Sequence, residues 1–138
     1  MADTSTYLAD ALRDLLLRTA AGLTKPTHLY VSLHTGDPGA TGANEVSGGS
    51  YARVQNDPGN ANWSDEATGG QSKNVSDLTF PAPTANWGVV TYAGLWDAST
   101  VGNFITRAPL AVSKTVNNGD NAFKILAGNL TLTFTVAS

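Results

Sequence analysis

No cysteine occurs in the 138 residues, which excludes disulfide bridges, thiolate nucleophiles and cysteine-type zinc sites and leaves redox chemistry silent on the compartment. Charge is scarce as well. Charged residues make up 14% of the chain, against about 25% in an average soluble protein, and Thr, Ser, Asn and Gly hold the polar positions in their place. Neutral polar surface costs less to bury than charge, so the composition suits either a protein that packs against neighbours or a Thr-rich β protein. The net charge is −3, and Arg13, Arg18, Arg53 and Arg107 are scattered rather than gathered into a strip. That distribution argues against nucleic acid as the main partner. The longest apolar run of the N-terminal segment is Leu15–Leu17, so no membrane insertion is expected. Acidic residues come early there and no basic stretch precedes an apolar core, which predicts no secretory signal and assembly in a cytoplasm.

What the chain does have is a change of hydrophobic period. Tyr7, Leu8, Ala11, Leu12, Leu15 and Leu16 recur at helical spacing, with Asp3, Thr4 or Ser5 available as caps, Gly22 as a stop, and Asp10, Arg13 and Asp14 on the wet face. After Pro26 the period becomes two. Leu29, Val31 and Leu33 alternate with Tyr30 and Ser32, and strand-like runs follow at 51–55, 75–80, 87–96, 103–107, 110–116, 121–126 and 130–136. Leu130, Leu132, Phe134 and Val136 against Thr131, Thr133 and Thr135 is the clearest of them. About eight short strands between Gly, Asn and Pro turns predict a mainly β fold, an antiparallel β-sandwich or jelly-roll-like barrel with one N-terminal amphipathic helix. The expected organisation is a single β domain over 1–138, with a helix and arm at 1–24 and the sandwich at 27–138. Between Asn56 and Ser72 no period is visible. Trp63 in that stretch is read either as a plug for the sandwich edge or as a contact for a partner.

The glycine-rich stretch TGDPGATGANEVSGG, Thr35 to Gly49, invites a chemical reading. It has no Lys-Ser/Thr after its glycines and runs on into another strand, so it is not a phosphate loop, and the dinucleotide spacing is absent too. Calcium could draw on Asp37, Asn44 and Glu45 or on Asp57, Asp65 and Glu66, but no calcium-loop run is present and Asp-Pro-Gly is first a turn. His28 and His34 flank one strand, roughly 20 Å apart at strand rise, too far to share a metal or a proton. No serine carries a nucleophile-elbow motif, and the eleven carboxylates are scattered, most of them among turn residues. No enzyme activity, catalytic residue, cofactor or metal is expected. Trp87 and Trp96, nine positions apart, are expected on opposite faces, one in the core and the other against a neighbour or solvent.

Three ordered blocks carry a resemblance: Asn44-Glu45-Val46-Ser47-Gly48-Gly49 with Tyr51-Ala52-Arg53, then Phe80-Pro81 before Trp87-Gly88 and the Leu95 to Asp97 stretch, and finally Gly128-Asn129-Leu130. The chain resembles, over nearly its whole length, a family of small tailed-bacteriophage virion proteins catalogued as phage tail fibre or minor structural proteins. It departs from that pattern at Asn56 to Ser72. The resemblance implies a non-enzymatic virion part, with other virion proteins (major capsid protein or tail proteins) as partners and a place on the virion surface. A fibre shaft needs heptads or a solenoid period, and neither is present, so the expectation here is a capsid decoration (cement) protein, with a receptor- or glycan-binding tail component as the alternative. A homo-oligomer is expected. Its contacts are expected from Tyr7, Leu12 and Leu16 on the helix, from Asn44, Glu45 and Arg53 as polar rim groups of a mobile loop that moulds onto a neighbour, and from Trp63.

Overall fold

The computed structural model describes residues 4–19, 22–67 and 69–134. Asp3, one of the three expected caps, and Val136, the end of the expected last strand, lie outside them. Helix α1 spans Thr6–Leu17, with the Ser5 hydroxyl accepting from the Leu8 amide at 3.1 Å. That bond satisfies one of the amides that every helix start leaves open. The helix ends at Leu17 rather than at Gly22. Its N-terminus is stitched to the rest of the chain: Ser5 N–H donates to Ile105 O, Thr6 N–H donates to Ala40 O, and Thr4 bridges Thr106. Only the first two turns therefore lie on the body of the protein, burying Leu8 and Ala11, and exposure rises along the rest of the helix.

Among the described residues eight strands follow: β1 (Tyr30–His34), β2 (Val54–Gln55), β3 (Gln71–Lys73), β4 (Leu78–Thr79), β5 (Gly88–Trp96), β6 (Phe104–Val116), β7 (Lys124–Ile125) and β8 (Thr131–Thr133). The expected mainly β, antiparallel fold with a single N-terminal helix is the one observed. A four-stranded sheet runs in the order β2-β1-β5-β6, and β3-β8 and β4-β7 form two short ladders. The runs expected separately at 103–107 and 110–116 are one strand. Pro109 does not break it, because β6 is outermost in its sheet and a missing amide is tolerated there. The β5–β6 pairing instead shifts register between Val90 and Tyr92.

One apolar cluster joins the sheet to the ladders. Val31, Leu33, Val90, Ala93 and Leu95 come from the sheet, and Leu78, Phe80, Phe123, Ile125, Leu130 and Leu132 come from β4, β7, β8 and their flanks. Fully burying such a side chain contributes about 1.5–3 kcal/mol. The aperiodic stretch before β3 is held by its own chain. Trp63 donates its indole N–H to Asn56 O at 3.1 Å and bridges Asn74. Asn74 is buried, donating to Ser76 O and Leu126 O and accepting from Leu130 N–H. That one amide clasps the end of β3 to the β7–β8 turn, which a sequence reading sees only as an Asn-x-Ser triplet.

Candidate functional site

Alternation along β1 puts Ser32 and His34 on the face opposite Val31 and Leu33. The polar face of a one-sided sheet would be wet, yet Ser32 and His34 are both completely buried. The cover is the glycine-rich loop, which folds over this second face and seats Gly42 against Trp96. A Cβ on Gly42 would lie 2.6 Å from the indole, and the backbone there has φ +83°, so only glycine allows this approach. Gly94 on β5 serves the same end from below, since a Cβ there would meet Ser32, His34 and Phe104 at 2.6 to 2.8 Å. Pro38 is buried, Gly42 and Ala43 donate to its carbonyl, Thr35 N–H donates to Asn44 O, and Asn44, at φ 63°, donates its side-chain amide to Asp37 O. The loop is thus tied to its own sheet by hydrogen bonds and close packing. Trp87 and Trp96 do face opposite sides, but both are buried: Trp87 edge-on to Tyr51 in the core, Trp96 beneath the loop. One of the two was expected against a neighbour or solvent; instead the chain itself covers Trp96.

Under the loop runs a closed chain of hydrogen bonds. The Trp96 indole N–H donates to Ser32 Oγ at 2.9 Å, and Ser32 Oγ lies 2.7 Å from His34 Nε2. His34 Nδ1 is 2.7 Å from Ala43 O. A carbonyl only accepts, so Nδ1 carries the proton, Nε2 is an acceptor, and Ser32 donates to it. Burial lowers the pKa of His34, which keeps the ring neutral. A serine hydroxyl on a histidine nitrogen is the contact a nucleophilic site uses, and the i, i+2 spacing on a strand was the signal that would have found it. Here the pair orients loop against sheet, since both residues are sealed from solvent and the ring's other nitrogen is spent on a backbone carbonyl.

Beside this chain lies the Glu45–Arg53 pair, which the first of the three sequence blocks brings together. Arg53 Nε and Nη2 donate to the two Glu45 oxygens at 2.8 and 2.7 Å, and the guanidinium lies 3.8 Å from the Trp96 ring centroid. Nη1 donates to Ala98 O and Val101 O, both at 2.9 Å. Val101 sits at the exposed tip of the β5–β6 hairpin with φ 54°, a left-handed conformation unusual for a β-branched residue. Arg53 holds that strained tip in place. Tyr51 completes the group, its hydroxyl donating to Glu45 Oε2 and accepting from Leu33 N–H. Burial works to raise the Glu45 carboxyl, but hydrogen bonds from Arg53 and Tyr51 and the Arg53 charge outweigh it and hold the pKa below its ordinary value. Burial pushes the Tyr51 phenol well up, so it stays protonated. Above the pair opens a shallow cleft of about 430 Å³, lined by Glu45, Ser47, Tyr51, Arg53, Ser99 and Val101.

The other expected oxygen donors are separated. Asp37 accepts from Gly39 N–H and from Arg107, and these two bonds lower its pKa in that order. Asp57 faces Gln55 and His28, and Glu66 faces Ser64 and Lys73. Among the described residues no three His, Asp or Glu side chains gather into a metal site. His28 is outside β1 and exposed, so the two histidines never meet.

The remaining expected contact residues lie elsewhere. Tyr7 and Leu12 line an apolar groove of about 380 Å³ between α1 and the core, with Leu23, Pro26, Leu29 and Phe134. Leu16 is not part of its lining and is exposed. Trp63 lines an adjoining cavity of about 300 Å³ whose wall shares Leu29, Leu95 and Phe134 with the groove. The molecule is therefore a β scaffold that displays a polar cleft at a braced hairpin and an apolar helix with a groove, the make-up of a structural module. A family model confirms the class and narrows it: that of the podophage GP4 fiber I protein gp80 matches residues 3–133, and the chain belongs to this family. No curated protein matches the sequence. Membership makes the protein a structural component of a phage, associated with other virion parts. Among the described residues, no helix is long and apolar enough to cross a membrane.

Proposed function

We propose that the protein is a non-enzymatic, globular component of the fibre apparatus on the outer surface of a podophage virion, assembled in the host cytoplasm as a single β domain. Membership of a fibre-protein family over residues 3–133 carries this reading. The second reading, a capsid decoration protein, draws on the compact sheet and on the lack of heptads or a solenoid period in the sequence. In either position the scaffold contributes shape: its loops are bonded inward, leaving the helix, the groove and the hairpin cleft as surfaces for other proteins. In a fibre the cleft beside Val101, with Glu45 and the hydroxyls of Ser47 and Ser99, is the place for polar contacts to a host receptor. Cryo-electron microscopy of purified particles tests the assignment. Density for this chain in fibres at the tail is the expected result, and density spread regularly over the capsid lattice would overturn it in favour of decoration.

A further inference from the structure

From the chain of hydrogen bonds beneath the glycine-rich loop we infer that residues 36–43 form an acid-opened cover: protonation of His34 lifts this segment from the four-stranded sheet while the sheet stays paired. The bonds run in one direction, from the Trp96 indole N–H to Ser32 Oγ, from the Ser32 hydroxyl to His34 Nε2, and from His34 Nδ1–H to Ala43 O. A proton arriving at Nε2 reverses the middle link, because the ring then donates there. Ser32 Oγ would accept from Trp96 and His34 together, and its own hydroxyl proton would lose the acceptor it now has, in a completely buried site. The imidazolium also needs water, which burial denies it. Behind β1 lies the apolar cluster with Val31 and Leu33, and the loop covers the other face. Lifting the loop is therefore the smallest movement that hydrates the ring.

The charges around His34 do not remove this need. Burial, the largest effect, keeps the ring neutral; the Ala43 carbonyl and Glu45, which bridges His34 at the mouth of the loop, favour the charged ring, and Arg53 opposes it. Tyr92 stands opposite His34 on β5, and Arg107 on β6 bonds Asp37 of the loop. The segment's other ties include the bond from Thr6 N–H to Ala40 O, the Asp37–Arg107 pair and the seat of Gly42 on Trp96. None of these belongs to the β1–β5 ladder. The bonds from Thr35 N–H to Asn44 O and from Val46 N–H to Leu33 O close the base of the loop as a hinge. Opening gives up the Thr6 bond at the start of α1 and uncovers Trp96, the ring on which Arg53 stacks. One proton thus reaches both the helix and the hairpin cleft.

The test is hydrogen exchange of the full chain followed by NMR between pH 7 and pH 5, each rate divided by the intrinsic rate at that pH. The Trp96 indole N–H and the Thr6 amide report on the cover. Both are expected to be protected at least about 100-fold less than the amides of the β1–β5 ladder, the mark of an opening that leaves the sheet intact. Their protection is expected to fall by about 20-fold from pH 7 to pH 5, the factor by which protons favour an open form whose histidine has its ordinary value of about 6.5. Protection equal to that of the ladder, or unchanged by pH, overturns the inference. The chain has a second histidine, His28, so two variants assign the effect. His28→Gln is expected to keep the fall and His34→Gln to abolish it, and the reverse result contradicts the assignment. Should His34→Gln fail to fold, the ring nitrogen resonances of the wild type decide. Protonation of His34 in step with the loss of protection supports the cover, and protonation while both reporters stay protected overturns it.

Discussion

The loop side and the helix side of this molecule solve opposite problems. Beneath the glycine-rich loop, each polar atom of the Ser32–His34–Trp96 chain has a partner within the same chain, and Arg53 spends its donors on Glu45 and two hairpin carbonyls. Along α1 exposure climbs from 6% at Leu8 to 80% at Leu17, and apolar surface is left open. Disturbing a saturated region injures the fold. Disturbing an unsaturated one leaves the fold intact and alters what it can hold. Whether a residue is used inside the chain or outside it is thus readable from how completely its chemistry is satisfied.

The strongest way to break this contrast is at Arg53. Arg53→Ala leaves Glu45 with no cation and frees the hairpin tip, so it is expected to lower stability by about 3–5 kcal/mol in urea titration. Arg53→Lys restores the charge without the two-pronged geometry and is expected to recover only part of that loss. A loss below about 1 kcal/mol for the alanine variant would mean that the pair is surface decoration after all.

A smaller effect comes from acid. His34 binds a proton less readily in the folded chain than in the unfolded one, so protonation draws the equilibrium toward unfolding. Its contribution is complete above about pH 6.5, the ordinary histidine value, and declines as the pH falls from there toward the lower folded value. The slope from one such group is at most about 1.4 kcal/mol per pH unit. Glu45, whose carboxyl is also held low, adds a separate loss below its ordinary value of 4.5. Denaturation curves from pH 8 to pH 3 should show both stages, and His34→Gln should remove the first while leaving the second.

The least effect on the fold belongs to the helix side. Leu16→Asp and Leu17→Asp are expected to change the unfolding free energy of the monomer by no more than about 0.5 kcal/mol, measured by urea titration in dilute solution where no oligomer is populated. A larger loss would show that these leucines serve the domain itself and would erase the difference between the two sides.

Much of the helix side was legible beforehand, because helical periodicity displays an apolar stripe whether or not anything covers it. Tyr7, Leu12 and Leu16 were found that way. The strand count and the antiparallel, mainly β class followed from alternation and turn residues. The loop side was legible only in its parts. Asn44, Glu45 and Arg53 were singled out, yet pairing Glu45 with Arg53 depends on the loop folding back on the next segment, and stacking Arg53 on Trp96 depends on segments more than forty positions apart meeting over one sheet face. The burial of Ser32 and His34 was not legible, because a strand pattern cannot say that a loop will return to cover its second face. The short β3, at the end of the aperiodic 56–72 stretch, has no apolar alternation, being formed by Gln71, Ser72 and Lys73 against β8.

The stitching of the helix start gives the molecule a direction of mechanical transmission. Ser5 and Thr4 are joined to Ile105 and Thr106 at the beginning of β6, the longest strand, which lies along β5 for most of its length. A tug applied to α1 by whatever grips its leucines is handed to that strand and spread across a ladder of cross-strand bonds. The hairpin and its cleft hang from the same two strands. Force applied at the helix would thus reach the hairpin tip along two paired strands.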